Sequence, residues 1–401
     1  MTSPQVIKKS YRAASDALAS SSCFKRMMFL LLSIAPLSEI QASGIVIVPS
    51  LRTSYDNNIF RANPLSSQVV DDLIISPNLA VNVHRQLARN TLTLKAVFGY
   101  DFYKNHESIG REHIDVAANA NVKIGAHCEI APSVEANWQK SEYGDTITPI
   151  PNMQKTFSYG ADVMCQKPVG FFPKLGYSRS VARNSAAFSE SDLNYQTVTA
   201  GIGYQRPSLG SALLYYSRNY ADRPSRADQT RINQFGLTLS RSVSPRLSAT
   251  IDINWMDVNN SNPFVLNYSG IGWMVETKFR PDPRFIVTIN TKRSIVGNSL
   301  ISSSYALQTD TSLSLSFQLT DRSRFGLSVQ DQRRHFRGEV PILGQALRIA
   351  DHSRTYGAQY SWAFHPPWRL IIDGARSLRN GENSLFDYRD TRVSLTLSRI
   401  L

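Results

Sequence analysis

The chain has 401 residues, of which 42% are hydrophobic, and a formal net charge of +13. No apolar run approaches the roughly 20 residues a spanning helix needs, which excludes a helical membrane protein. It leaves a β-barrel open, because each barrel strand needs only about 9 to 11 residues and every second one faces lipid. Lys and Arg are scattered and never form a block, so no nucleic-acid partner is expected.

The first element reads as an address. Lys25 and Arg26 precede the apolar run Met27 to Leu37, and the small residues Ala42, Ser43 and Gly44 follow where a signal peptidase would cut. Residues 1–42 are therefore expected to be an extension and cleaved secretory signal, and 43–401 an outer-membrane barrel. Five basic and two acidic residues lie in 1–42, so a charge of +13 falls only to +10 on cleavage.

From Ile45 onward the hydrophobic period is 2. Leu92, Leu94, Ala96, Phe98, Tyr100 and Phe102 alternate with polar residues, as do Leu313, Leu315, Phe317 and Leu319. The pattern predicts about 18 strands, near 44–55, 69–83, 90–104, 111–124, 127–140, 155–166, 171–182, 192–205, 209–220, 229–241, 246–258, 268–280, 284–295, 305–319, 323–334, 353–364, 368–378 and 388–400.

The links between strands alternate too. Gly125-Ala126, Arg206-Pro207, Ser244-Pro245 and His365-Pro366-Pro367 are short, whereas 56–68, 141–154, 335–352 and 379–387 are long and polar. Tight periplasmic turns, longer extracellular loops and two periplasmic ends characterise outer-membrane barrels. Backbone groups in hydrocarbon must all be paired, so the strands must close. The expected fold is all-β: a closed antiparallel transmembrane barrel of about 18 strands, wide enough for an aqueous channel. Trp138, Tyr204, Trp255, Trp273, Phe279, Trp362 and Trp368 fall where interfacial aromatic girdles belong. Val393, Leu395, Leu397 and Leu401 resemble the C-terminal signal read by the barrel-assembly machinery, with Leu in place of the usual terminal Phe and Arg399 at a hydrophobic position. Membrane lipid and that machinery are the first expected partners.

Parity then sorts the charges. With the apolar face towards lipid, the lumen wall presents Lys95, Asp101, Lys123, Glu135, Asp252, Glu276, Lys278, Arg284, Lys292, Asp310, Arg324, Arg334, Arg369, Asp373 and Arg392. Rings of Lys or Arg favour anions, whereas mutual pairing would merely fill a wide interior. Cys128 and Cys165 share the lipid-facing parity. If Trp138 lies opposite Lys155, the same register puts the two cysteines opposite each other, as a disulfide or as two free thiols.

The seven His form no HExxH, the Cys no CxxC, and no nucleophile elbow is present. No enzymatic activity, cofactor or metal is expected.

The segment Tyr55-Asp56-Asn57-Asn58-Ile59-Phe60-Arg61, followed by Asp71-Asp72 and the strand from Leu73 to Leu79, resembles the N-terminal signature of an outer-membrane β-barrel porin family. That family is associated with capsule and exopolysaccharide biosynthesis and includes the EpsL-like proteins. The resemblance implies a conduit for a secreted polysaccharide, working with periplasmic export partners and without an enzymatic step. From the residues themselves, Asp56 to Asn58 read as a strand-ending turn, or Tyr55, Asn57, Asn58 and Arg61 line the external mouth and touch sugar groups. Three functions stay open: a polysaccharide conduit, a general or anion-selective diffusion porin, and a structural or adhesive barrel with ligand-binding loops.

Overall fold

The computed structural model describes residues 44–65, 69–140, 152–226, 228–297, 303–339 and 347–401. The expected signal lies outside them, as does most of the long link 141–154.

Eighteen strands follow one another along the chain. They are β1 (Ile45–Asp56), β2 (Asp72–Leu87), β3 (Asn90–Tyr103), β4 (Arg111–Ile124), β5 (Cys128–Lys140) and β6 (Met153–Cys165). Next come β7 (Gly170–Arg183), β8 (Leu193–Arg206), β9 (Gly210–Arg223), β10 (Asp228–Ser244), β11 (Leu247–Asn260) and β12 (Tyr268–Asp282). The last are β13 (Phe285–Val296), β14 (Tyr305–Thr320), β15 (Ser323–Arg337), β16 (Ala350–His365), β17 (Trp368–Gly381) and β18 (Tyr388–Arg399). Each pairs antiparallel with its neighbours, and β1 also pairs with β18, so the sheet closes into a barrel.

The alternation in sequence becomes two faces. One rung, Ile289–Leu313–Val329–Tyr356, runs across four strands on the outside; the next, Thr288–Ser314–Ser328–Gly357, faces the lumen. The outer rung is 38 to 46% exposed. A water-soluble protein would bury such a face, because contiguous apolar patches of this kind are rarely left in water. Here the apolar band goes all round the outside, as a membrane-spanning barrel requires. All seven girdle aromatics share its parity.

The two ends differ. The links at one end, such as 125–127, 245–246 and 366–367, are tight turns. The other end carries the long loops and nearly all of the buried core. There β12 and β13 stop pairing above Trp273–Arg293, while β13 stays paired with β14 up to Val296–Ala306. The top of the β13–β14 hairpin leaves the wall and leans across the inner face of β10–β12. Its formerly outward Ile295 and Tyr305 pack on the inward-facing Ile232, Met256 and Val258, together with the loop residue Val265. Arg223 pins the tip, donating to the Ser304 carbonyl at 3.0 Å and the Gly297 carbonyl at 2.9 Å, while the Ser304 hydroxyl bonds Asp228. Beside it, Arg348 lies over the rings of Phe336 and Phe386 and bonds Glu339 at 3.1 Å. The loop-end mouth is thus narrowed from within by packed elements.

At the turn end, Trp138 lies opposite Lys155 and Cys128 opposite Cys165, and the two sulfurs are joined at 2.16 Å.

Candidate functional site: an arginine-lined recess in the lumen wall

Strands β15 to β18 and β1 each turn an inward-facing polar residue to the same stretch of lumen near the loop end. Asp351 on β16 accepts two bonds from Arg334 on β15, at 2.9 and 2.7 Å, and is paired on its other side with Arg379 on β17. Asp56, the last residue of β1, receives a forked pair of bonds from Arg61, both 3.0 Å, and another from Arg392 on β18 at 3.1 Å. Arg61 also reaches Asp390 at 3.6 Å. Charge-assisted and forked pairs are the stronger hydrogen bonds, and buried charges persist only when paired in this way. Burial works against the charge on Arg61, but Asp56 and Asp390 outweigh it and raise its pKa above the ordinary value.

Arg61, Arg334, Arg379, Asp390 and Arg392 border a recess of about 380 Å³ whose lining adds Gln330, Gln332, Ser353, Thr355, Ser377 and Tyr388, with the buried Asp56 and Asp351 behind them. Four guanidiniums meet three carboxylates, which leaves one positive charge in excess. Arg392 keeps 38% of its side chain exposed to the lumen. Hydroxyls and amides surround it. Such a wall can hold a small anion by charge and orient it by neutral donors.

Of the pore-wall residues expected from parity, the recess brings together Arg334 and Arg392, joined by Arg61 from the motif loop. The others that lie in strands have inward parity but are dispersed. Lys123 is paired with Glu129 towards the turn end, Lys292 lies opposite Asp310, and Asp373 binds Arg52 at 3.3 Å. Lys95 and Lys278 lie on other strands away from the recess, while Arg324 and Arg369 sit near the turn end of β15 and β17. Arg284 is in no strand: it occupies the turn just ahead of β13. Arg379 and Asp351 fell in stretches expected to be loops, because polar residues at the strand tops look like the start of a link. Continuing the two-residue parity upward would have placed both on the lumen face.

The motif loop acts mainly on the closing seam. Asn57 exchanges backbone and side-chain bonds with Thr391, at 3.2 and 2.7 Å, and the Asn58 side chain donates to the Arg389 carbonyl at 3.1 Å. Asn58 also holds Ala62 through both its oxygen and its nitrogen, 2.9 Å each. Arg61 takes the left-handed conformation at φ 53°, which aims its guanidinium back at Asp56. Asp56 ends β1, and its carboxylate accepts from the Asn58 amide at 3.0 Å, the strand-ending turn expected there. Tyr55 does not line the mouth: it lies between Val393 and Leu73 on the outward face, is 46% exposed, and bonds Asp71 at 3.1 Å.

Among the described residues no group of three His, Cys, Asp or Glu is arranged to hold a metal.

No family model and no curated protein matches the chain. Several solved structures are distantly similar to it. OpdQ of Pseudomonas aeruginosa is 10% identical, with 90% of this chain and 100% of that one covered at a TM-score of 0.47. OccK2 of Pseudomonas aeruginosa, solved in complex with glucuronate, is 10% identical over 89% and 96% at 0.46. The outer membrane protein opdK of Pseudomonas aeruginosa is 11% identical over 89% and 99% at 0.44.

Proposed function

We propose that this chain is an outer-membrane channel for small anionic solutes, with the arginine-lined recess as its selecting element. The observation that carries this is the convergence of Arg61, Arg334, Arg379 and Arg392 on one stretch of lumen wall, edged by hydroxyl and amide donors. The resemblance to the capsule-associated barrels implies passage of a polymer, which needs a mouth that a chain can thread. The β13–β14 hairpin leaning inward, with the packed loops around it, favours small solutes instead.

The test is a reversal potential in a planar bilayer across a tenfold KCl gradient. The native barrel should prefer chloride. Arg392→Gln should reduce that preference several-fold, because it removes the most exposed guanidinium while Arg61 still neutralises Asp56. A cation-selective native channel, or none at all, would sink the reading.

A further inference from the structure

Outward-facing strand positions in a barrel should be apolar across the bilayer. On β7 to β10 they are apolar only up to a level. Below it stand Tyr216, Phe235 and, on the adjoining β11, Trp255, all 45 to 56% exposed. Above it the same face turns basic. The register draws two rows there: Arg179–Gln196–Tyr220–Arg231–Asn259, and just beneath it Val198–Arg218–Asn233–Asp257. Arg179, Arg218 and Arg231 therefore occupy neighbouring places on one outer surface, spread over about 15 Å at a strand spacing near 4.8 Å. Among the described residues none of the three makes an ion pair, and the Nε of Arg179 is buried without a partner. The carboxylates at the edges are occupied by amides: Asp257 by Asn259 at 2.7 Å and Asp222 by Asn194 at 3.4 Å.

Height decides what these arginines meet. With a rise of about 3.3 Å per residue and a tilt near 40°, Arg218 stands about 20 Å above Gly210 at the turn end. A lipid-facing apolar band is about 25 Å tall. The patch thus straddles the outer hydrocarbon boundary, where unpaired guanidiniums are costly unless anions neutralise them. Arg binds phosphate in forked geometry. Between the arginines lie Gln196, Asn233 and the Tyr220 ring, groups suited to sugar hydroxyls and sugar faces, and beneath lies an apolar surface suited to acyl chains.

We propose that Arg179, Arg218 and Arg231 form a binding site on the outside of the barrel for a phosphorylated glycolipid of the outer leaflet. Its phosphates pair with the three guanidiniums and its acyl chains cover the row from Ala200 through Tyr216 and Phe235 to Trp255. The site rests on the membrane placement of the barrel and not on what passes through the lumen. A protein partner would be expected to meet a surface without this sharp change from apolar to basic.

The experiment uses the full chain folded in a neutral detergent, with native mass spectrometry against added diphosphorylated glycolipid, its dephosphorylated form, and phosphatidylglycerol. The native barrel should bind the diphosphorylated glycolipid at least tenfold more tightly than either of the others. The triple variant R179Q/R218Q/R231Q should lose that preference, while its gel mobility on heating and its reversal potential remain native. Changing two outward arginines at the turn end, R85Q/R241Q, should leave binding intact. Equal affinity for the phosphorylated and dephosphorylated glycolipids overturns the proposal, as does equal binding of phosphatidylglycerol. So does an unaltered preference in a triple variant that is folded.

Discussion

The two ends of this barrel are built on different principles. At the turn end the strands are joined by tight links, and the ladder supplies nearly all of the order, reinforced by one covalent bond between Cys128 and Cys165. At the loop end the ladder breaks between β12 and β13, and side-chain packing takes over. Arg223, Tyr305, Ile232, Met256 and Val258 are almost completely buried there, as are Asp56 and Asp72. The contrast shows where a wide barrel can vary its properties. A ladder bond is the same for any sequence, whereas a packed mouth is specific to these residues, so selectivity and stability changes should concentrate at the loop end.

The largest effect should come from breaking a buried charge network. Asp351→Ala removes the buried carboxylate that Arg334 and Arg379 share. Removing one partner of a buried pair costs roughly 3–5 kcal/mol. Urea unfolding followed by the loss of the heat-modifiable band should show a loss of this order. A turn-end substitution such as Asp282→Ala, which removes only a bond to the Arg284 amide, should stay within about 0.5 kcal/mol.

Next comes the lean of the β13–β14 hairpin. Met256→Ala removes a fully buried side chain between the wall and the hairpin tip, at a cost of roughly 2–5 kcal/mol. Because the loss falls on the contact that holds the hairpin inward, single-channel conductance should rise. An unchanged conductance in the folded variant would show that the hairpin does not set the width of the path.

That hairpin also marks the limit of what the sequence discloses. The strands follow from a two-residue period, and because the same parity fixes both the face and the register, even the meeting of Cys128 with Cys165 could be read from the index of Trp138 and Lys155. Parity is a property of a ladder, and it misleads where the ladder ends. Ile295 and Tyr305 have lipid-facing parity, yet they are buried because the hairpin carrying them has left the wall. Arg379 and Asp351 read as loop residues for the opposite reason: the ladder continues into polar strand tops that look like the start of a link. Arg179, Arg218 and Arg231 were not singled out in the sequence, and only the paired strands show them as one surface.

The disulfide gives a smaller effect, confined to the turn end. Replacing both cysteines by serine should cost about 2 kcal/mol, the low end for such bonds, because β5 and β6 are already held together by their ladder. A chain that starts at residue 43, and so lacks Cys23, should take up no alkylating mass before reduction and two additions after it. Conductance and ion preference should be untouched, since both sulfurs face outward and away from the recess.

A pair of glycines sets the two ends against each other most directly. Gly125 and Gly338 both adopt positive φ, 63° and 64°, so alanine at either site pays for a left-handed backbone, about 1 kcal/mol. Around Gly125, in the turn between β4 and β5, a new methyl group would meet nothing within 4 Å. The backbone cost should be the whole cost. Beside Gly338 the same methyl would fall 2.2 Å from the Ser304 hydroxyl and 2.9 Å from Val265, and Ser304 cannot step aside without giving up Asp228. Gly338→Ala should therefore destabilise the barrel clearly more than Gly125→Ala, by urea midpoint, and should raise conductance as well, since it loosens the same hairpin tip. Equal losses for the two variants, with conductance unchanged in both, would mean that the loop end is no more tightly packed than the turns.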